Sequence, residues 1–312
     1  MLIDNLIMKH HLTIYLLAVT IIVGFLITGC GSDEEYSEVT WDMVQDTTDR
    51  VTVIEGGLQG PEAVQYDSDQ DVYFVSNFNG NGTAADSNGF ISRAQTDGAI
   101  DSLKFMVGTE QYPLHAPRGM YIVGDTLFVA DQMGVHGFDR YTGQQIAFTD
   151  FTNFEPGFLN DLAMGADSSL YVTDSGKPLL YRMSGANVSI AVDSLSHVNN
   201  GIMYDRKNQR LILAPWGDGQ TFLTWNPLSN SVGEAGTGVG GLYDGIEPVN
   251  GDFIVTSQAD STLQLIRDGE GQIFIKVPGN PADIGLDTQR NQVAVPYIAL
   301  DRVDVWQLPD DQ

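Results

Sequence analysis

From Gly60 to the C-terminus the chain alternates short apolar runs with polar or Gly-containing turns, and one phrase recurs six times. A polar or Pro/Gly-rich opening leads into a short apolar strand, a turn, and a second strand rich in Val, Tyr, Phe and Leu. The openings read GPEAVQYD, APRGMYIV, LNDLAMGAD, NNGIMYD, YDGIEPVNGD and NPADIGLD. The second strands include Val72-Tyr73-Phe74-Val75, Leu127-Phe128-Val129-Ala130 and Phe253-Ile254-Val255-Thr256. Turn residues such as Gly124-Asp125, Asp167-Ser168 and Asn250-Gly251 separate each pair, which predicts hairpins.

Taking Glu62, Arg118, Asn160, Asn200, Asp244 and Asp283 as markers, the repeats follow one another in steps of 56, 42, 40, 44 and 39 residues. Each step accommodates one four-stranded unit, with an insertion in the first. The last repeat has three strands of its own, ending at Arg302 to Leu308. The segment Arg50 to Glu55 (RVTVIE) precedes the first opening and belongs to no repeat. The pattern predicts an all-β fold: a six-bladed β-propeller whose N-terminal strand closes the last blade.

Composition narrows the picture. Hydrophobic residues make up 42% of the 312, enough for a sizeable core, and the 34 glycines suit strands joined by tight turns. The net charge of −26 repels phosphate backbones and so argues against nucleic acid as a partner. Lys9, His10 and His11 precede an apolar run from Leu12 to Ile27 that ends in Ile27-Thr28-Gly29-Cys30. This resembles a bacterial lipoprotein signal. The expected organisation is a signal peptide over 1–29 (with Met8 an alternative start), an acidic tether over 30–49 and the propeller over 50–312. Cys30 would carry the lipid, placing the protein on the cell envelope, at the outer membrane on its periplasmic or outer face. Cys30 is the only cysteine, so no disulfide or thiol chemistry remains.

Radial repetition brings equivalent positions of separate repeats onto one axis. Glu62, Asn160, Asn200 and Asp244 open the first strand of their repeats, so their side chains are expected at one end of the central channel. Two carboxylates and two amide oxygens form a hard oxygen set that suits Ca²⁺ or another divalent cation better than Zn²⁺. Arg118 holds the corresponding place in the second repeat and offers a fork for a substrate carboxylate or hydroxyls. His115, three residues earlier, is placed to bind substrate or relay a proton. Tyr243, Trp216 and Tyr297 are candidates for an aromatic wall or for core packing. Asp283 opens the sixth repeat without a clear role.

Glu62-Ala63-Val64-Gln65-Tyr66-Asp67, Asn160-Asp161-Leu162, Asn200-Gly201-Ile202 and Asp244-Gly245-Ile246 resemble, in order, motifs of the senescence-marker-protein/gluconolactonase family of regucalcin-like hydrolases. Diisopropyl-fluorophosphatase and paraoxonase propellers use a similar quartet. The resemblance implies a six-bladed propeller with an axial Ca²⁺ held by Glu62, Asn160, Asn200 and Asp244. It further implies hydrolysis of a small-molecule lactone or ester, with Asp244 as general base or nucleophile. The Gly-Pro pair precedes Glu62, whereas in the family it follows the Glu. That phrasing is similar to NHL-type propellers and leaves a second reading: a non-catalytic binding or sensor propeller with a structural metal.

Overall fold

The recurring phrase folds as an antiparallel meander. The computed structural model describes residues 50–309, so the expected signal segment, Cys30 and the acidic tether lie outside the described residues. Strand β1 (Arg50–Ile54) precedes the first repeat. That repeat contains β2 (Pro61–Asp67), β3 (Val72–Asn77), β4 (Phe90–Gln95) and β5 (Ile100–Val107). The second contains β6 (Met120–Val123), β7 (Thr126–Ala130), β8 (Gly134–Asp139) and β9 (Gln145–Asp150). The third contains β10 (Leu159–Met164), β11 (Leu170–Asp174), β12 (Leu180–Ser184) and β13 (Asn187–Val192). The fourth contains β14 (Asn199–Asp205), β15 (Arg210–Pro215), β16 (Thr221–Asn226) and β17 (Ser231–Thr237). The fifth contains β18 (Tyr243–Val249), β19 (Asp252–Ser257), β20 (Thr262–Arg267) and β21 (Glu270–Lys276). The last has β22 (Gly285–Asp287), β23 (Gln292–Tyr297) and β24 (Arg302–Gln307).

The described residues form an all-β, propeller-type array of sheets. The first three repeats are separate four-stranded sheets. The fourth and fifth share one eight-stranded sheet, joined by a single parallel bridge between Thr237 and Glu270. In the last sheet β1 pairs antiparallel with β24, matching Ile54 to Val303 and Thr52 to Val305. The N-terminal strand thus supplies the fourth strand and covers an edge that would otherwise be open.

In all six repeats the turn between first and second strand holds a residue at positive φ: Asp71, Gly124, Ser168, Gln209, Asn250 and Asn291. The carboxylates of Asp67, Asp205 and Asp287 fold back to accept backbone N–H groups from the turns that follow them. This is why the first, fourth and sixth opening phrases end in Asp.

The apolar residues of each sheet pack against the next one, and six buried clusters fill the spaces between successive meanders. The first strands lie side by side in a closed ring: β2 touches β6, then β10, β14, β18 and β22 follow, and β22 returns to β2. Val64 N–H donates to Asp283 O (3.1 Å), and Asp283 N–H donates to Glu62 O (2.9 Å), closing that circle through backbone bonds.

Candidate functional site

The pairing of first and second strands is interrupted in four repeats, between Pro61 and Val64, Leu159 and Leu162, Asn199 and Ile202, and Tyr243 and Ile246. Those interruptions contain Glu62, Asn160, Asn200 and Asp244. A bulge of this kind re-aims a side chain and frees a backbone N–H. Hydroxyls on the second strand satisfy three of the freed groups: Ala63 N–H donates to Ser76 Oγ (2.9 Å), Asp161 N–H to Thr173 Oγ1 (3.0 Å) and Gly245 N–H to Thr256 Oγ1 (2.9 Å).

The four re-aimed side chains meet in one cavity of about 470 Å³, together with Phe78, Phe158, Ser175, Trp216, Gln258 and Ile298. All four are nearly inaccessible to solvent. Glu62 Oε2, Asn160 Oδ1, Asn200 Oδ1 and Asp244 Oδ1 each lack a hydrogen-bond partner. Buried polar atoms are normally paired, so four orphaned oxygens in one cavity fit a cation that would satisfy them together. Among the described residues no group of three or more His, Cys, Asp or Glu side chains is arranged to hold a metal; here half the donors are amides.

Neighbouring groups hold the set. Gln258 Nε2 donates to Asp244 Oδ2 (2.6 Å), and Asn160 Nδ2 donates to Ser175 Oγ (3.1 Å), so Asp244 keeps Oδ1 and Asn160 its amide oxygen free. Burial pushes the Asp244 carboxyl up to about 7, against the Gln258 hydrogen bond. Burial and then Asp244 push Glu62 well above the usual carboxylate range, while Arg118 opposes them. These two acids are costly to ionise together without a cation.

Arg118 does not line the cavity. It is fully buried, and burial lowers its pKa to about 10. Its Nη1 donates to Leu159 O (3.1 Å), and its Nη2 donates to Gly82 O (2.5 Å) and Gln132 Oε1 (3.2 Å). The guanidinium lies 3.6 Å from the centroid of Phe158, so that ring stands between Arg118 and the cavity. His115 is also away from the cavity: its Nδ1 accepts from Ser87 N–H (2.9 Å) and its backbone N–H donates to Asp131 Oδ2 (2.9 Å). Gln132 Nε2 donates to Thr83 O (2.8 Å). Arg118, His115 and Gln132 therefore pin the insertion between β3 and β4, which made the first step longest and which follows the cavity residue Phe78.

Asp283 is displaced by one position from the other markers. Its backbone bridges Ala63, the residue after Glu62, and Thr256 Oγ1 donates to Ala282 O (3.0 Å) as Thr173 Oγ1 does to Asn200 O. Ala282 thus occupies the quartet position in the last repeat and contributes no oxygen-bearing side chain. Asp283 instead lines a separate cavity of about 180 Å³ with Asp161 and Glu247. Burial, reinforced by Asp161, raises the carboxyl of Glu247 to about 8. Of the aromatic candidates, Trp216 lines the quartet cavity. Tyr243 and Tyr297 are fully buried, with hydroxyls engaged by Gly240 N–H and Trp306 Nε1. The alternation of strands gave no sign of Phe78, Phe158, Gln258 or Ile298, which stand in segments between strands.

By fold the chain is of the β-propeller class. Similar solved structures include a gluconolactonase from Xanthomonas campestris (16% identity, TM-score 0.64, 84% of this chain and 92% of that one). Another is a virginiamycin B lyase from Staphylococcus aureus (13%, 0.59, 83% and 99%), and a third is a chain of the nidogen/laminin complex (13%, 0.54, 70% and 90%). No family model and no curated protein matches the sequence. At these identities the likeness establishes the fold, which serves a hydrolase, a lyase and a protein-binding module alike.

Proposed function

We propose that this chain is a metal-dependent hydrolase of the gluconolactonase type, opening a lactone or ester beside a Ca²⁺ or similar divalent cation held by Glu62, Asn160, Asn200 and Asp244. The observation that carries the reading is the convergence of four buried, unpartnered oxygens on one cavity. A bound cation would supply Lewis-acid polarisation of a carbonyl and stabilise the negative charge that develops on its oxygen. Gln258 fixes the Asp244 carboxylate through Oδ2 and turns Oδ1 into the cavity, where one lone pair would help hold the cation and the other would take a proton from water. Hydrolysis adds the hydroxyl to the carbonyl carbon and returns that proton to the departing ring or alkoxy oxygen. Phe78, Phe158, Trp216 and Ile298 limit the access of bulk water.

The same reading counts the eight-stranded sheet as two blades, for six in all. A single bridge joins its halves, and β14 and β18 take separate places in the ring of first strands. It also retains lipidation at Cys30 and attachment to the bacterial envelope, checked by acyl labelling of wild type against Cys30→Ser.

Metal analysis of the purified protein, followed by lactone and aryl-ester hydrolysis before and after EDTA, tests the assignment. About one Ca²⁺ per chain with EDTA-sensitive turnover is expected at a site of this ligand type. Absence of any bound divalent cation on titration would overturn it. One observation favours the second reading, a cation-bearing binding propeller: Arg118 and His115 are committed to the insertion loop, and among the described residues no guanidinium or imidazole lines the cavity. Stoichiometric Ca²⁺ without turnover on every ester and lactone would select it.

A further inference from the structure

The walls above the oxygen quartet are apolar. Phe78, Phe158, Trp216 and Ile298 surround the cavity, and its remaining polar side chains, Ser175 and Gln258, already bond to Asn160 and Asp244. Ser175 Oγ also donates to Asn199 O (3.2 Å). Among the described residues no Lys, Arg or His lines the cavity. Arg118 stands behind Phe158, where its Nη atoms donate to Leu159 O, Gly82 O and Gln132 Oε1 and its Nε is buried without a partner.

A polyhydroxylated ring placed over the quartet would press those of its hydroxyls that do not reach the cation or Gln258 against aromatic carbon, where they lose water without gaining a partner. An anionic substrate would meet Glu62 and Asp244 with no accessible positive side chain opposite. A flat, uncharged, apolar acyl or aryl group loses nothing there and gains the faces of Phe158 and Trp216. The Phe158 ring is braced by the Arg118 guanidinium at 3.6 Å, and Phe78 begins the loop that Arg118, Gln132 and His115 pin. The wall is therefore preformed, and its binding energy is not spent on ordering side chains.

We propose that the site takes uncharged aromatic or alkyl lactones and esters in preference to sugar lactones or acids bearing a second carboxylate. This rests on the hydrolase reading for turnover, but the ligand preference is measurable without it.

The Ca²⁺-loaded protein would be assayed with dihydrocoumarin and with D-glucono-1,5-lactone. A kcat/KM at least about a hundredfold higher for dihydrocoumarin is expected, the scale on which an apolar pocket rejects added hydroxyls. Equal or reversed preference overturns the proposal. Trp216→Ala and Phe158→Ala are expected to raise KM for dihydrocoumarin about tenfold, with Ca²⁺ affinity and thermal midpoint checked in the same samples. If neither lactone is opened, the hydrolase reading fails, and calorimetry with two non-hydrolysable lactams then decides the ligand class. Tighter binding of 3,4-dihydro-2-quinolinone than of D-gluconolactam supports the proposal. Tighter binding of the sugar lactam, or binding of neither, overturns it.

Discussion

Gln258 Nε2 holds Asp244 Oδ2 at 2.6 Å, while Oδ1 of the same carboxylate remains buried without a partner beside three other orphaned oxygens. The hydrogen bond selects which oxygen faces the cavity. Groups that orient a metal ligand typically contribute 10- to 100-fold in affinity. Gln258→Leu is expected to weaken Ca²⁺ binding by about that factor. Gln258→Glu would add a third carboxylate and repel Asp244. Calorimetric titration of both variants checks the assignment, and an unchanged affinity in Gln258→Leu would contradict it.

Cation binding is expected to depend steeply on pH. Burial raises Asp244 to about 7 and Glu62 well above its ordinary value. A carboxyl raised on folding stabilises the folded chain while protonated, and that contribution is lost as pH climbs from the unfolded pKa through the folded one. The metal-free protein therefore loses stability as pH rises from about 4 through 7 and beyond. A cation needs both groups ionised, so its binding releases protons and offsets that loss. The Ca²⁺-induced rise in Tm should grow between about pH 5 and 8, and Glu62→Gln should flatten it. A gain that does not change with pH would sink the idea.

Arg118 is expected to behave as a positioning residue and not as a substrate clamp. Arg118→Met removes the donors to Leu159 O, Gly82 O and Gln132 Oε1 and the opposing charge near Glu62. Stranding buried acceptors in this way costs on the order of 2–4 kcal/mol. Denaturant unfolding should register that loss, and amide exchange should quicken across residues 82–88. Loss of activity confined to carboxylate-bearing substrates would restore Arg118 as a clamp.

Closure of the last sheet by β1 makes a stability prediction remote from the site. Ile54 is fully buried in the cluster between the last and first sheets, opposite Val303. Ile54→Ala is expected to cost about 2–4 kcal/mol with little effect on Ca²⁺ affinity. Equilibrium unfolding of the variant, with and without Ca²⁺, measures both.

The strand pattern and the shared position of Glu62, Asn160, Asn200 and Asp244 were legible in the sequence because they recur at fixed phase, and the closing strand because Arg50 to Glu55 is left over from the repeats. Asx turns punctuate the hairpins. The last repeat was misread by one position: Asp283 has the expected chemistry, but the equivalent residue is Ala282. With only three residues in β22, the periodicity there is too short to set the register. Phe78, Phe158, Gln258 and Ile298 lie in connections, where spacing follows loop length and carries no period. Arg118 and His115 looked like site residues by position, yet their partners belong to an insertion whose path only the fold reveals.

The glycine after Asn200 ties strand packing to the quartet. A Cβ on Gly201 would lie 2.0 Å from Asp244 O and 3.0 Å from Ile246 Cγ2. Asp244 O belongs to the backbone of β18, so the clash can be relieved only by moving β14 away from β18. That movement separates Asn200 from Asp244, two of the four oxygens that face one cavity. Overpacking of this kind costs about 1–3 kcal/mol, and Ca²⁺ coordination tolerates ligand–oxygen distances only over about 2.3–2.6 Å. Gly201→Ala should therefore lower both the unfolding free energy and Ca²⁺ affinity, the latter by tenfold or more on the order expected when ligand orientation is lost. Gly241→Ala is the matched control, since a Cβ there meets only Ala259 Cβ at an ordinary 3.7 Å. If Gly201→Ala binds Ca²⁺ as tightly as the control, the close approach of β14 and β18 does not set the geometry of the site.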